Sequence, residues 1–174
     1  MNAKDLEMSM WFVVQAHNRE AVSEKKRFRK WDGKTPYSVH PIWCALTILT
    51  EGTLSEELRE RGALALLYHD ILEDTTAKLP AETPEEVAAL VRGMTFESTD
   101  EEMDKVWDRG EEVILLKLYD KVSNLLDGHW MVAETRERYA SYTSRLLRHV
   151  ERRFGELNIT RMARAVAGEG GGGE

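Results

Sequence analysis

The stretch that decides the fold is Ala65–Thr75, ALLYHDILEDT, where an apolar helical run leads directly into four metal-capable side chains. If the helix continues, His69 and Glu73 lie four residues apart on one face, as do Asp70 and Asp74. Carboxylates at a helix C-terminus oppose the macrodipole, and placing them beside a core is costly unless a cation compensates. The pattern therefore favours a divalent metal site over an ordinary exposed, acidic helix end.

Two distant positions extend this pattern. His40 stands directly before a proline at a predicted helix start, and Asp120 lies within the apolar run LKLYDKV. Imidazole and carboxylate groups together suit a divalent ion of intermediate hardness. One ion could collect His40, His69, Asp70 and Asp120 from three helices and keep positions open for water and substrate.

Helical periodicity dominates the rest of the chain, and no stretch alternates convincingly enough to predict a strand. We expect an all-α bundle of about seven or eight helices over residues 1–167, with a disordered glycine-rich tail over 168–174. The predicted helices include a first one through residues 6–17, others at about 40–50, 55–72, 84–93, 111–126, 131–154 and 159–167, and a short acidic helix that begins at Ser98 or Thr99.

Composition narrows the functional classes. The 174 residues are 42% hydrophobic and 32% charged with a formal net charge of −7, which argues against a general nucleic-acid binder. No apolar run approaches the ~20 residues of a membrane span, and no signal peptide is visible. The single cysteine, Cys44, is expected to be a buried spacer, and one cysteine fits a reducing compartment. We therefore predict a cytoplasmic protein.

Three segments carry a resemblance to a known family. They are GKTPYSVHP at 33–41, ALLYHDILEDT at 65–75 and LKLYDKVSNL at 116–125. In this order they resemble the H…HD…D signature of the HD-domain metal-dependent phosphohydrolases. The resemblance is greatest to the hydrolase domain of the RelA/SpoT alarmone enzymes and to the small alarmone hydrolases of the stringent response, and it covers about residues 5–130. The EDT extension is more specific than a bare histidine–aspartate pair.

The resemblance implies a role for each matching residue. His40, His69, Asp70 and Asp120 would hold one metal ion, typically Mn²⁺ in that family. The resemblance further implies that Glu73 and Asp74 position and activate the attacking water, and that Arg29, Lys30 and Asn124 contact the nucleotide. The implied reaction removes the 3′-pyrophosphate from guanosine tetra- or pentaphosphate. A small-molecule nucleotide is the expected partner, without nucleic acid or membrane, and self-association stays open.

The chain also departs from the family pattern. Between Thr95 and Glu111 it is short and acidic, where the family usually has a longer stretch with basic residues that serve the substrate. Two alternatives therefore stay open: an HD-domain enzyme for another nucleotide, and a metal-bound regulatory module without turnover. The tryptophans are expected mainly in the core, but Trp31 adjoins Arg29 and Lys30, from where it could stack on a base.

Overall fold

Apolar residues spaced three and four apart produce helices along most of the chain, as a computed structural model of residues 2–168 describes. The α-helices within that range are α1 (Ala3–Arg19), α2 (Val39–Leu49), α3 (Glu56–Tyr68), α4 (Ile71–Asp74), α5 (Glu85–Met94), α6 (Thr99–Lys105), α7 (Glu111–Leu126), α8 (Ala133–Phe154) and α9 (Asn158–Ala167). The predicted all-α class is confirmed, since the described part of the chain contains only isolated β-bridges besides helices and turns. Most of the predicted disordered tail lies outside the described residues.

Helix α7 forms the centre of the bundle. It packs against α2, α3, α5, α8 and α9, and twelve of its sixteen residues are buried. A helix that is buried on nearly all sides exposes little surface to water, so the buried charged residues that it carries must be compensated inside the protein. Between residues 2 and 168, no helix is long and apolar enough to cross a lipid bilayer.

The predicted helix 55–72 is wrong in one respect, because α3 ends at Tyr68 and α4 is a separate single turn. His69 Nδ1 lies 2.8 Å from the carbonyl oxygen of Leu66, the acceptor that an uninterrupted helix would offer to the Asp70 amide. One turn then re-forms, with the Asp74 amide 2.8 Å from the Asp70 carbonyl oxygen. His69 and Asp70 therefore stand at a helix break and do not share one regular helix face with Glu73 and Asp74.

A loop over residues 20–38 covers this break. Backbone bonds of 2.9 Å from Val22 to Asp74 and of 2.8 Å from Thr76 to Glu20 fasten the loop to α4. Further along, Asp32 Oδ1 accepts hydrogen bonds of 2.9 Å from the Lys34 and Thr35 amides and closes a turn. The loop thereby places its basic residues over the end of α3.

Close helix packing supports the same region. A Cβ atom on Gly62 of α3 would lie 2.7 Å from Ile48 Cδ1 of α2, so the absence of a side chain permits this contact. Cys44 of α2 is fully buried, as predicted. The helix that carries His40 is therefore held firmly against the helix that precedes His69.

Candidate active site

The structure brings the four predicted metal ligands together, in what we call the histidine–aspartate cluster: His40, His69, Asp70 and Asp120. Ligand atoms of His40, His69 and Asp120 all lie within 4.8 Å of one another, and all three residues are buried. Asp70 Oδ2 stands beside them, 3.1 Å from His69 Nε2 and 3.6 Å from His40 Nε2. These residues come from α2, the break after α3, and α7.

The imidazole rings of the cluster face each other and the two carboxylates. His69 Nδ1 donates to the Leu66 carbonyl oxygen at 2.8 Å, so Nε2 is the ring nitrogen that faces the cluster. His40 Nδ1 lies 2.8 Å from Ser123 Oγ, and its Nε2 lies 3.3 Å from His69 Nε2. Burial lowers the pKa of His40, which favours the neutral ring. Two imidazoles and two carboxylates that converge in this way fit a divalent cation.

Asp70 is held in its ionised form. Burial alone would raise its pKa, but His69 and His40 beside it lower the pKa to about 2. The Tyr37 hydroxyl donates to Asp70 Oδ2 at 2.8 Å, and burial together with Asp70 raises the pKa of Tyr37 well above its usual range. Tyr37 therefore remains a neutral donor that fixes the orientation of this carboxylate.

The two oxygens of Asp120 face different neighbours. Oδ1 lies 3.4 Å from His40 Nε2 and accepts a 2.6 Å hydrogen bond from Asn124 Nδ2. Oδ2 lies 3.3 Å from Lys117 Nζ and 3.1 Å from Lys121 Nζ. One oxygen is therefore available to a metal ion, while lysine ammonium groups hold the other.

Glu73 and Asp74, the predicted water-activating pair, lie in different environments. Glu73 Oε1 accepts a 3.0 Å hydrogen bond from the Phe96 amide, and loss of water together with nearby Asp70 raises the pKa of Glu73. Asp74 is buried and its Oδ1 lies 2.5 Å from Lys26 Nζ. Burial and Asp70 nevertheless raise the pKa of Asp74. Both carboxylates line the same cavity as Asp70 and Asp120.

The predicted nucleotide-binding residues also line this cavity, but Arg29 is already engaged. Its guanidinium donates to Asp127 at 2.8 and 3.0 Å and to Asn124 Oδ1 at 3.0 Å. Asn124 in turn donates to Asp120, so Arg29 is linked to the histidine–aspartate cluster through one side chain. Lys30 Nζ lies 4.6 Å from the centre of the Trp130 ring.

The cavity has a volume of about 300 Å³, at the small end for a ligand pocket. Trp130 lines it and is 40% exposed, whereas Trp31 lines a separate cavity behind Arg29. The expectation that the tryptophans lie mainly in the core was therefore wrong for Trp11, which is 65% exposed, and for Trp130. The position of Trp130 follows from the short turn after α7, which the sequence pattern did not reveal.

Three buried charged residues escaped the sequence analysis: Glu102, Lys117 and Lys121, here called the lysine cluster. Glu102 comes from the acidic segment that departs from the family pattern, and its carboxylate lies 3.0 Å from Lys117 Nζ and 2.9 Å from Lys121 Nζ. Lysines four residues apart on an otherwise apolar helix were the available signal, since a buried lysine needs a carboxylate partner.

Two known proteins resemble this chain, one in sequence and one in its helical fold. The chain is similar to the guanosine-3′,5′-bis(diphosphate) 3′-pyrophosphohydrolase MESH1 of Xenopus tropicalis, with 29% identity over 125 residues, or 66% of this chain and 68% of that protein. It also superposes on the solved structure of a metazoan SpoT ortholog that hydrolyzes ppGpp, with a TM-score of 0.74 and 20% identity over 98% of each chain. No protein-family model matches the sequence. Both similarities agree with the predicted resemblance to the RelA/SpoT-type hydrolase domain.

Proposed function

We propose that the chain, as an HD domain over residues 1–167, is a metal-dependent phosphohydrolase that removes the 3′-pyrophosphate from guanosine tetra- or pentaphosphate. The observation that carries this proposal is the convergence of two imidazoles with Asp70 and Asp120, which line a cavity that also contains basic residues. The activity in the name of the MESH1 relative gives the substrate class. Water and guanosine tetraphosphate would yield guanosine diphosphate and pyrophosphate.

In this proposal His40, His69, Asp70 and Asp120 hold one divalent ion, with Mn²⁺ suggested by the family resemblance. When bound, such an ion lowers the pKa of water and polarises a phosphoryl oxygen. The chain's own contribution is positioning and charge neutralisation, which dominate phosphoryl transfer.

Glu73 is the stronger candidate for the proton acceptor. Its raised pKa brings it closer to the operating pH of a general base. The hydrogen bond that its carboxylate accepts comes from the Phe96 amide and not from a lysine or an arginine. Asp74 instead holds Lys26 over the cavity, where the ammonium group can contact a phosphate. The predicted pair thus divides into a base and a positioning residue.

The nucleotide would lie along the loop 20–38. Arg29, oriented by Asp127 and Asn124, offers a fixed guanidinium edge, and Lys30 with Trp130 forms a cationic and aromatic surface. The buried single cysteine supports the prediction of a reducing, cytoplasmic location.

The test is a hydrolysis assay with the purified chain, Mn²⁺ and two substrates. Release of pyrophosphate from guanosine tetraphosphate is the expected result, abolished by a chelator and restored by Mn²⁺. Orthophosphate from a deoxynucleoside monophosphate would support the alternative HD nucleotidase, and metal binding without any turnover would support a regulatory module. His69→Gln should remove the activity, while His149→Gln, at the partly exposed His149–Glu111 contact, should leave it near that of the wild type.

A further inference from the structure

The lysine cluster joins α6 to the candidate metal site. Glu102, Lys117, Asp120 and Lys121 are each less than 9% exposed and lie in one group of two ammonium and two carboxylate charges. Both ammonium groups contact Glu102 on one side and Asp120 Oδ2 on the other. All four residues line the cavity, so the group faces both the histidine–aspartate cluster and any ligand.

The lysines keep their charge in this position. Lys117 Nζ lies 3.0 Å from Glu102 and 3.3 Å from Asp120, and Lys121 Nζ lies 2.9 Å from Glu102 and 3.1 Å from Asp120. Two ammonium groups therefore stand beside a carboxylate that is also a candidate metal ligand. Without Glu102, one carboxylate would have to serve both lysines and a divalent ion.

The charge of the two lysines has opposite effects on the binding of a cation at the histidine–aspartate cluster and on the binding of an anion in the cavity. Lysine charge that is not balanced repels a metal ion and competes with it for the negative charge of Asp120, but the same charge attracts a phosphate group. Glu102 contacts both lysines and therefore controls how much of their charge remains.

We propose that Glu102 is a positioning residue that balances the affinity of the site for its metal ion against its affinity for the anionic end of the substrate. It holds Lys117 and Lys121 on Asp120 and cancels about one of their two charges. The proposal rests on the proposed function for the identity of the substrate, a phosphorylated nucleotide. It also gives the acidic segment over α6 a purpose that the family pattern does not provide.

Loss of the Glu102 charge should therefore weaken metal binding and strengthen anion binding. Glu102→Gln removes one negative charge with little change in shape. We expect Mn²⁺ affinity to fall about tenfold, in the range found when a partner of a metal ligand is lost. Sulfate, a tetrahedral dianion used as the phosphate probe, should bind the metal-loaded chain about fivefold more tightly. A merely structural role for Glu102 would weaken both.

The experiment measures Mn²⁺ binding by calorimetry and sulfate binding from the concentration dependence of the unfolding temperature. Asp104→Asn is the matched control, because it removes an exposed carboxylate from the same helix outside the cavity. The control should change neither affinity by more than about twofold. Equal losses of both affinities in Glu102→Gln, or no change in either, would overturn the proposal.

A second variant covers the case in which Glu102→Gln does not fold. The double variant Glu102→Gln with Lys121→Gln removes one charge of each sign, so Mn²⁺ affinity should stay within about threefold of the wild type. A loss of tenfold or more in this folded, charge-balanced chain would contradict the proposal. Both measurements need no turnover, so failure of the proposed hydrolysis would leave their result interpretable.

Discussion

The histidine–aspartate cluster and the lysine cluster meet at Asp120 but satisfy their charges in different ways. In the first, the Nε2 atoms of His40 and His69 lie 3.3 Å apart, beside two carboxylates. In the second, Glu102 lies within 3.0 Å of both lysine ammonium groups. The first arrangement could hold a cation from outside, whereas the second is compensated within the chain. The candidate metal site is thus the place where two carboxylates lie together without a lysine or arginine between them and the histidines.

The largest expected effect comes from substitution of Asp120, the residue that both clusters contact. Asp120→Asn keeps the size of the side chain but removes a ligand charge, so we expect hydrolysis to fall at least about a thousandfold and bound Mn²⁺ to be lost. Metal analysis and kcat/KM measure this, and Asp104→Asn again serves as the control for a lost carboxylate. Full metal occupancy in Asp120→Asn would contradict the ligand set.

The next effect separates chemistry from metal binding. Glu73→Gln should lower kcat by about 10²- to 10⁴-fold with unchanged Mn²⁺ content, because Glu73 lies outside the histidine–aspartate cluster. Since its pKa is raised, the carboxylate becomes a base only above the usual range for glutamate, so activity should fall as the pH drops through this higher pKa. Glu86→Gln, an exposed substitution on α5, should retain both kcat and the pH profile. A wild-type kcat in Glu73→Gln would place the base elsewhere.

A third prediction concerns His17, a buried histidine beside the cluster. Its two ring nitrogens are buried without hydrogen-bond partners, its ring centre lies 4.8 Å from that of Tyr37, and burial lowers its pKa to about 4. The unfolded chain binds the proton near pH 6.5, so stability on account of His17 is lost as the pH falls from about 6.5 to about 4. The full loss amounts to about 3 kcal/mol.

His17→Phe removes this titration and keeps a flat ring. The difference in unfolding free energy between wild type and variant, measured by urea denaturation, should shift in favour of the variant as the pH drops across that interval. His149→Gln is the control, because His149 is only partly buried and pairs with Glu111. A difference that stays constant with pH would show that folding does not lower the pKa of His17.

The two clusters also differ in how far the sequence revealed them. His40, His69, Asp70 and Asp120 were predicted because each is a polar residue at a place that an apolar helix or helix start does not explain. The break between Tyr68 and Ile71 was not predicted, since a side-chain hydrogen bond from His69 decides it and periodicity does not record such bonds.

Glu102 is a residue whose role the sequence could not reveal. It lies in the run TDEEMDK, where Asp100, Glu101 and Glu102 are chemically similar. Only packing decides that Glu102 points to Lys117 and Lys121, while Asp100 pairs with Arg138 and Glu101 pairs with Lys105 at the surface. A contact between residues 15 or more positions apart, as between Glu102 and Lys117, depends on how α6 meets α7 and has no local signature.

The smallest expected effect sharpens the position of the nucleotide. Trp31 and Trp130 are 41% and 40% exposed, which makes them a matched pair. Trp130 lines the candidate site beside Lys30, whereas Trp31 contacts His129 edge-on and lines the other cavity. Trp130→Ala should raise KM about fivefold with little change in kcat, the effect of losing one stacking surface, and Trp31→Ala should change KM by less than about twofold. If Trp31→Ala had the larger effect, the base would lie behind Arg29, as its place in the sequence first indicated, and the phosphates alone would occupy the cavity over the lysine cluster.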